Sequence, residues 1–447
     1  MKRFLLVVAL TTVLVPVASV AQNRASQAGP PLKSTYIRLG NNANAVLVEP
    51  VTPVPEKSRI AILITHPERI NNLDYFMGWE LPKYGYRAMM VNYYGAEENY
   101  YELLQPIGAA MKVLRATPGV EKIVLSGHSS GVPELTAYQD VAENGPKACQ
   151  GPERLIKCDG KGLENLPKAD GMLMFDSNSG AVARVLSLNP GLDPHHPRQK
   201  NAALDMYDAK NGYNPKTRSA TYSDEFLKKY FAGQQARANQ LIDEALDRLN
   251  KIEHGQGDFV DDEPFIVAGA ASSGHSANGA HPARADRRLL SKTHSSHLLL
   301  KADGTNVTQV IPEVTPAGAR PEDQERMVQT NLEVTVRHYL TYNALRVTPD
   351  YRMTQDNITG LVLRSSPSSM QGNVEGIHVP TLFLVSTCGG EVVLQEIGFD
   401  HSAAKDKELV GVEGATHGYT PCKPEFGDTF KRAFDYADIW LSKPGRF

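Results

Sequence analysis

The stretch EKIVLSGHSSGVPELTAY, residues 121–138, decides the fold of this chain of 447 residues. Its apolar residues predict a short strand over 122–126, and the residues after the glycine-rich turn predict a helix. The turn itself, GHSSG at 127–131, has the pattern G-x-S-x-G, in which glycines let a strand and a helix pack closely around an exposed serine. We therefore expect Ser129 to be a nucleophile on a strained turn, with the N–H of Ser130 facing an oxyanion.

The amino terminus indicates export. Two basic residues precede an uncharged run from Phe4 to Val17, and Ser19-Val20-Ala21 supplies a small-x-small cleavage site before Gln22. This pattern predicts a signal peptide over residues 1–21 and a secreted or periplasmic mature chain. No later stretch is apolar for long enough to span a bilayer, so we expect no stable membrane insertion.

Composition limits the partners and cofactors. A formal net charge of −3, with no long basic run, argues against nucleic acid or an anionic membrane surface as a partner. The pairs His195-His196 and His294 with His297 lack a further set of metal ligands, so we expect no metal and no cofactor. The sequence does not indicate an oligomeric state.

The order of the elements predicts an α/β fold. The run RIAILIT at 59–65 is continuously apolar, which is typical of a parallel strand buried on both faces. Similar runs alternate with helical patterns, which predicts a doubly wound, mostly parallel sheet. The expected strands are 35–38, 44–49, 59–65, 86–92, 122–126, 171–175, 379–385 and 408–412.

The sheet pattern stops between residues 189 and 372. This segment contains a long amphipathic helix over 223–252 and a further helical pattern over about 331–345. A large insertion between two sheet strands overhangs their carboxyl ends, where open α/β sheets bind ligands. We therefore predict a catalytic domain of residues 22–188 and 373–447, with 189–372 as an α+β cap. The cap residues Tyr222, Phe226 and Tyr230 are expected to help cover the substrate, while most of the apolar stripe of the helix is expected to form the core of the cap.

Four cysteines are present, and an even count in an exported protein favours disulfides. Cys149 and Cys158 flank a short polar loop and are expected to pair. Cys388 and Cys422 then join two loops at the same face of the sheet. No C-x-x-C pair is present, which disfavours a thiolate zinc site.

Three features resemble the α/β-hydrolase superfamily, in particular its esterases and lipases. They are the serine turn at 127–131, which we call the elbow, the sheet interrupted by a large insertion, and a histidine in a loop near the carboxyl terminus. The resemblance covers residues 35–189 and 379–447, and the family's order of serine, acid and histidine is available here. His417 lies in GATHGY, directly after the strand 408–412, where the family has its catalytic histidine. The resemblance implies a serine hydrolase that cleaves a small-molecule carboxylic ester through an acyl-enzyme, and the predicted signal peptide implies that this hydrolase is exported.

The catalytic acid is less well defined. In the family it usually follows the strand that here is 379–385, and Glu391 is the first carboxylate of that loop. We expect Glu391 to orient His417, with Asp176 after the preceding sheet strand and Glu396 as alternatives.

A second oxyanion donor is expected after the strand 59–65. The family often has His-Gly there, whereas this chain has His66-Pro67-Glu68-Arg69. Pro67 carries no N–H, so the donor is expected to be Glu68, with Arg69 as the alternative.

Two other functions remain compatible with these motifs. The same triad serves peptidases and amidases, since G-x-S-x-G does not separate esters from amides. A binding protein without catalytic activity can also use a hydrolase scaffold.

Overall fold

The computed structural model describes residues 29–40, 43–66, 72–93, 99–192, 199–270, 281–314 and 331–447. The strands within these ranges are β1 (Leu32–Gly40), β2 (Ala43–Pro50), β3 (Ile60–Thr65), β4 (Arg87–Tyr93), β5 (Lys122–Ser129), β6 (Gly171–Ser177), β7 (Tyr213–Asn214), β8 (Ser219–Ala220), β9 (Pro264–Ala268), β10 (Lys292–Leu300), β11 (Asn306–Pro312), β12 (Asn331–Thr335), β13 (Val347–Met353), β14 (Ile358–Leu361), β15 (Thr381–Ser386) and β16 (Lys407–Val412).

Ten of these strands form one twisted sheet, in the order β1-β2-β4-β3-β5-β6-β15-β16-β10-β11. The nine pairs of neighbouring strands in this sheet divide cleanly by direction. All neighbours from β4 through β10 run parallel, whereas β1, β2 and β11 join antiparallel. The predicted doubly wound, mostly parallel sheet is confirmed.

The central strands have the apolar sequence that burial on two faces requires. Every residue of β3 is buried, and so is every residue of β5 after its first. Side chains alternate between the two faces, so each strand contributes to both layers of the core. The sequence predicted these strands to within one or two residues at most ends.

Helices cover both faces of the sheet. The helices of the described residues, including those of the insertion, are Pro55–Ser58, Phe76–Glu80, Leu104–Ala116, Gly131–Asn144, Ala181–Leu186, Asp224–Glu253, Pro282–Ala285, Val336–His338, Met370–Asn373, Val392–His401 and Thr429–Leu441, with a π-helical turn at Tyr339–Asn343. On one face the apolar core includes Leu104–Ala116 and Gly131–Asn144. On the other it includes Thr429–Leu441 and Phe76–Glu80.

The sheet continues inside the predicted cap segment. β10 lies parallel to β16, with Leu298 opposite Val410, and β11 folds back along β10 as the outer edge. The expectation that sheet pairing stops between residues 189 and 372 is therefore corrected. The run over 297–300 is strand-like in sequence, but nothing local to it identifies β16 as its partner, and such long-range pairing is set by tertiary contacts.

The rest of the insertion has its own core. The helix Asp224–Glu253 is capped by Ser223, whose side chain accepts a hydrogen bond from the N–H of Phe226. Tyr222 and Phe226 are only 1% and 6% exposed, and both lie in the apolar core of the insertion. The expectation that they cover the substrate is therefore corrected, because their side chains are used in packing.

A second element of the insertion differs from expectation. The predicted helix over 331–345 is instead the strand β12, which pairs with β9, followed by a short helix and the π-helical turn. Its alternating residues Leu332 and Val334 pack toward the core of the insertion. A helical and a strand pattern are difficult to separate over so short an apolar run.

Both predicted disulfides are present, Cys149–Cys158 and Cys388–Cys422. Across the part of the chain that the structure describes, no helix combines the length and the apolar character needed to cross a membrane. The predicted signal peptide, residues 1–21, lies outside the described residues.

Candidate active site

Ser129 stands on a sharp turn between β5 and the helix Gly131–Asn144. Its φ is +55°, in the left-handed region that a residue with a side chain adopts only under strain. A Cβ at Gly127 would lie 2.6 Å from a backbone nitrogen of the helix, and one at Gly131 would collide with the carbonyl oxygen of Thr65. Glycine is therefore needed at both positions, as the sequence predicts.

The strand order and the place of this turn together define the architecture. β2 enters antiparallel beside β4, and a parallel sheet follows with β5 near its centre. The serine turn lies between β5 and its helix, which is the strand–turn–helix setting of a nucleophile elbow. The chain has the α/β-hydrolase fold.

The parallel strands of the sheet bring Ser129, Asp176 and His417 to the same side, the one on which the strands end. Ser129 ends β5, Asp176 lies near the end of β6, and His417 follows β16, which is separated from β6 by β15. In the register of β5 and β6, Ser129 pairs with Ser177, so Asp176 is one residue from the partner of the serine. The ring of His128, next to the serine, lies 4.6 Å from the ring of His417 between centroids. Serine, carboxylate and imidazole therefore converge at the carboxyl ends of the strands.

His417 is hydrogen-bonded to a buried carboxylate. Its Nδ1 lies 2.6 Å from Oδ2 of Asp176, which is fully buried, and Oδ1 of Asp176 accepts a hydrogen bond of 2.8 Å from the N–H of Ser386. A neutral imidazole has one N–H. When Nδ1 donates to Asp176, Nε2 is left as the acceptor, and an acceptor nitrogen is what a general base needs.

The preference for Glu391 as the partner of His417 is corrected on this geometry. Glu391 is fully buried, and its Oε2 accepts a hydrogen bond of 2.9 Å from the hydroxyl of Ser179. In the loop after β15, a Cβ at Gly389 would lie only 3.0 Å from Oδ2 of Asp176. The loop thus passes close to a carboxylate that comes from β6, the neighbouring strand.

The other alternative, Glu396, belongs to a separate cluster. Its two carboxylate oxygens lie 2.9 Å from Nδ1 of His294 and 2.8 Å from Nε2 of His297, and its Oε2 also accepts from the backbone N–H of His294. The cluster joins β10 to the helix Val392–His401. No group of metal-ligating side chains with a suitable arrangement occurs among the described residues, and His195 and His196 lie outside them.

The predicted oxyanion donors are only partly described. Ser130 directly precedes the helix Gly131–Asn144, so its N–H lies at the positive end of the helix dipole. The other predicted donor, Glu68, lies outside the described residues. Among the described neighbours of that segment, the Asn72 side chain donates to the backbone oxygen of His66 at 2.7 Å.

A disulfide holds the histidine loop against the loop after β15. Cys388 is bonded to Cys422, five residues beyond His417. Two backbone hydrogen bonds support the same contact, from Cys388 to Ala415 at 2.8 Å and from Cys422 to Gly414 at 2.9 Å. The loop of His417 is therefore fixed on both sides of the imidazole.

One further side chain, that of His128, contacts the base, and Tyr75 contacts His128 in turn; the sequence predictions gave neither of them a role. The Nε2 of His128 lies 2.7 Å from the backbone oxygen of His417, and Nδ1 of His128 is hydrogen-bonded to the hydroxyl of Tyr75. His66 lies beside them, with its ring 4.9 Å from that of Tyr75. His128 is part of the GHSSG turn, but Tyr75 is far away in sequence and carries no motif.

Burial keeps the imidazoles of this site neutral. It lowers the pKa of His66 to about 4 and holds the pKa of His128 well below the usual value. Burial, assisted by the neighbouring His66, also lowers the pKa of His417 to about 4. The carboxylate of Asp176 acts in the opposite direction, since it favours the charged imidazole. His417 is thus suited to accept a proton at neutral pH.

One buried acid lies next to the elbow. Glu134, on the helix that follows Ser129, is hydrogen-bonded to the hydroxyl of Tyr93. Burial raises the pKa of Glu134 to about 8, so this carboxyl carries a proton at neutral pH. The sequence offers no local signal for such a pair, because Tyr93 is at the end of β4.

Comparison with solved structures gives distant matches. Est1E from Butyrivibrio proteoclasticus matches at 12% identity and a TM-score of 0.35, over 91% of this chain and 98% of its own. A bromoperoxidase from Bacillus anthracis matches at 9% identity and a TM-score of 0.34, over 92% and 100%. Esterase B from Lactobacillus rhamnosis matches at 13% identity and 0.30, over 36% of this chain and 53% of its own, about half its length.

No family model and no curated protein matches the chain. Because the structural identities and TM-scores are low, function is inferred from the residues of the site.

Proposed function

We propose that the protein is an exported serine hydrolase that cleaves carboxylic esters through an acyl-enzyme. The observation that carries the proposal is the hydrogen bond of 2.6 Å between Asp176 and His417, at the same sheet edge as the strained Ser129. A serine on such an elbow becomes a nucleophile when an imidazole takes its proton and a carboxylate holds that imidazole.

In this mechanism the Oγ of Ser129 attacks the ester carbonyl while its proton passes to Nε2 of His417. The negative charge that develops on the carbonyl oxygen is held by the N–H of Ser130 and by a second backbone donor, for which we propose Glu68. The tetrahedral intermediate then breaks its bond to the alcohol, which leaves with the proton from His417. Water, deprotonated by His417, attacks the acyl-serine and releases the acid.

Asp176 supports each of these proton transfers. It holds Nδ1 of His417 as the donor and stabilises the imidazolium that forms when Nε2 is protonated. Its second oxygen is occupied by the N–H of Ser386, so the carboxylate cannot rotate away without losing a buried hydrogen bond.

We also propose that the insertion, apart from β10 and β11, shapes the substrate pocket. Two contacts near the carboxyl ends of the strands support this role of the insertion. The ring of Tyr342 lies 4.7 Å from that of Tyr100, and Glu313 accepts a hydrogen bond of 2.9 Å from the N–H of Gly390 in the loop after β15. The substrate is thereby inferred to be a small-molecule ester that fits between the insertion and the sheet.

Export is proposed from the amino-terminal pattern and is supported by the two disulfides, which persist in oxidising compartments. It is tested by sequencing the amino terminus of the protein recovered outside the cytoplasm. A first residue of Gln22 is expected, and a chain that starts at Met1 would contradict cleavage.

The catalytic proposal is tested with p-nitrophenyl esters of graded chain length beside matched aryl amides. Turnover of esters by the wild type, and its loss in Ser129→Ala, is the expected result. Faster turnover of the amides than of their matched esters would favour an amidase, and equal turnover by Ser129→Ala would contradict a serine mechanism.

A further inference from the structure

The ring of His128 lies in a chain of two hydrogen bonds that ends on the backbone of the base. On one side its Nε2 is 2.7 Å from the backbone oxygen of His417. On the other its Nδ1 is bonded to the hydroxyl of Tyr75. His128 is 5% exposed, so water does not compete for either contact.

The chemistry of the partners fixes the direction of both bonds. A carbonyl oxygen only accepts, so Nε2 of His128 must carry the hydrogen and donate it to His417. A neutral imidazole has one N–H, so Nδ1 must accept, and the hydroxyl of Tyr75 donates to it. Burial supports the neutral ring, because it holds the pKa of His128 well below the usual value.

We propose that His128 is a positioning residue for the base: it holds the backbone of His417 through the Nε2–H bond, and Tyr75 sets the tautomer that makes this bond possible. This inference rests on the proposed function, since it assigns a role in presenting His417 to Ser129. His128 does not touch the reacting atoms in this role.

The location of the contact makes it effective. His128 is adjacent to Ser129 on the elbow, so the bond from its ring ties the backbone of the base to the turn that carries the nucleophile. The centroids of the His128 and His417 rings are 4.6 Å apart and their planes are inclined by 36°, so the ring of His128 restricts the space in which the imidazole of His417 can move. The disulfide Cys388–Cys422 fixes the loop from the opposite side. A shift of about 1 Å between reacting groups can cost about 100-fold in rate.

Three substitutions at one position separate positioning from packing. His128→Gln places an amide N–H near the former Nε2 and can still donate to the backbone of His417. His128→Asn keeps polar atoms near the former Nδ1 but does not reach that backbone, and His128→Leu removes both bonds at similar volume. Tyr75→Phe keeps the ring of Tyr75 and removes only its hydroxyl.

We expect His128→Asn and His128→Leu to lower kcat by about 10- to 100-fold with KM within about twofold, and His128→Gln to restore most of the loss. Tyr75→Phe should lower kcat by less, because the neutral ring can still adopt the required tautomer part of the time. Equal losses in the Gln, Asn and Leu variants, or no loss in any, would overturn the positioning role. Melting temperatures measured on the same samples identify a variant that fails to fold.

A readout that is independent of turnover is the tautomer of His128 in the wild-type protein. NMR of protein labelled with ¹⁵N-histidine, with the His128 signal assigned by its absence in His128→Gln, should show hydrogen on Nε2 and a bare Nδ1. The opposite tautomer or a charged ring at pH 7 would overturn the proposal. If Ser129→Ala loses no activity, the proposed function fails, but the tautomer still decides the hydrogen bonds of His128.

Discussion

The substitution Asp176→Asn tests which carboxylate serves the base. In the wild type, Oδ1 of Asp176 accepts from the N–H of Ser386 and Oδ2 lies against Nδ1 of His417. An asparagine must keep its oxygen toward Ser386, because that backbone group can only donate. Its NH₂ group then faces Nδ1 of His417 and forces that nitrogen to be the acceptor.

The consequence is the wrong tautomer of the base. With Nδ1 as acceptor, Nε2 carries the hydrogen and cannot take the proton of Ser129. A substitution of this kind in a serine triad lowers kcat by about 10⁴-fold, or about 5 kcal/mol of transition-state stabilisation. We therefore expect Asp176→Asn to lose about 10³- to 10⁴-fold in kcat, with KM little changed and the fold intact.

The matched control is Glu391→Gln, which also neutralises a fully buried carboxylate in the same region. Its amide can still accept the hydrogen bond from Ser179, so we expect kcat within about tenfold of the wild type. Hydrolysis of p-nitrophenyl butyrate under saturating conditions measures both variants. A loss below tenfold in Asp176→Asn, or a larger loss in Glu391→Gln than in Asp176→Asn, would refute the assignment.

Three further predictions concern the nucleophile, the disulfide and the pH profile. Ser129→Ala deletes one oxygen from the turn, so turnover should be lost without a change in melting temperature, and activity above a few per cent would contradict the elbow. Replacing Cys388 and Cys422 with serine removes a crosslink that stabilises the fold by about 2–4 kcal/mol, and it frees the loop of His417. We therefore expect kcat to fall even at temperatures well below the melting temperature. A free thiol at either position in non-reducing peptide maps of the wild type would disprove the disulfide. Only the neutral imidazole of His417 accepts a proton, and burial lowers the pKa of this imidazole. We therefore expect kcat/KM to rise with pH through an apparent pKa below 6.5 and then to level off. An apparent pKa above 7 would contradict the assignment of a buried base.

Local patterns predicted the elements that depend on local chemistry. The glycines at 127 and 131 are needed for steric reasons that the motif already expresses. The structure places the helix that follows against Gly127 and the end of β3 against Gly131. The helix Asp224–Glu253 begins after Ser223, an N-cap residue followed by acidic residues, and its apolar stripe has the period of a helix. The glycine spacing, the N-cap residue and the helical period can all be recognised without knowing which distant residues the segment contacts.

Features that depend on strand neighbours were harder to predict. Glu391 follows β15 in sequence, but the carboxylate that reaches His417 belongs to Asp176 at the end of β6, the strand beside β15 in the sheet. Sequence gives the order of strands along the chain and not their order in the sheet, so both acids were possible. The pairing of β10 with β16 was missed for the same reason.

The contact between Tyr75 and His128 shows a further limit of sequence patterns. The two residues are 53 positions apart, and neither periodicity nor a motif relates them. The two residues approach each other only because β3 pairs with β5 in the sheet, which brings the segment after β3 next to the elbow. Residues that position a base through its backbone therefore become visible only in three dimensions.

The most direct test of the proposed serine mechanism is covalent labelling with a fluorophosphonate. This probe reacts with a serine only when a base activates it, and the phosphonylated peptide can be located by mass spectrometry. We predict one adduct per chain, on Ser129, with labelling lost in Ser129→Ala and strongly slowed in Asp176→Asn. No adduct on the folded wild-type protein, or an adduct on another serine that persists in Ser129→Ala, would contradict the mechanism.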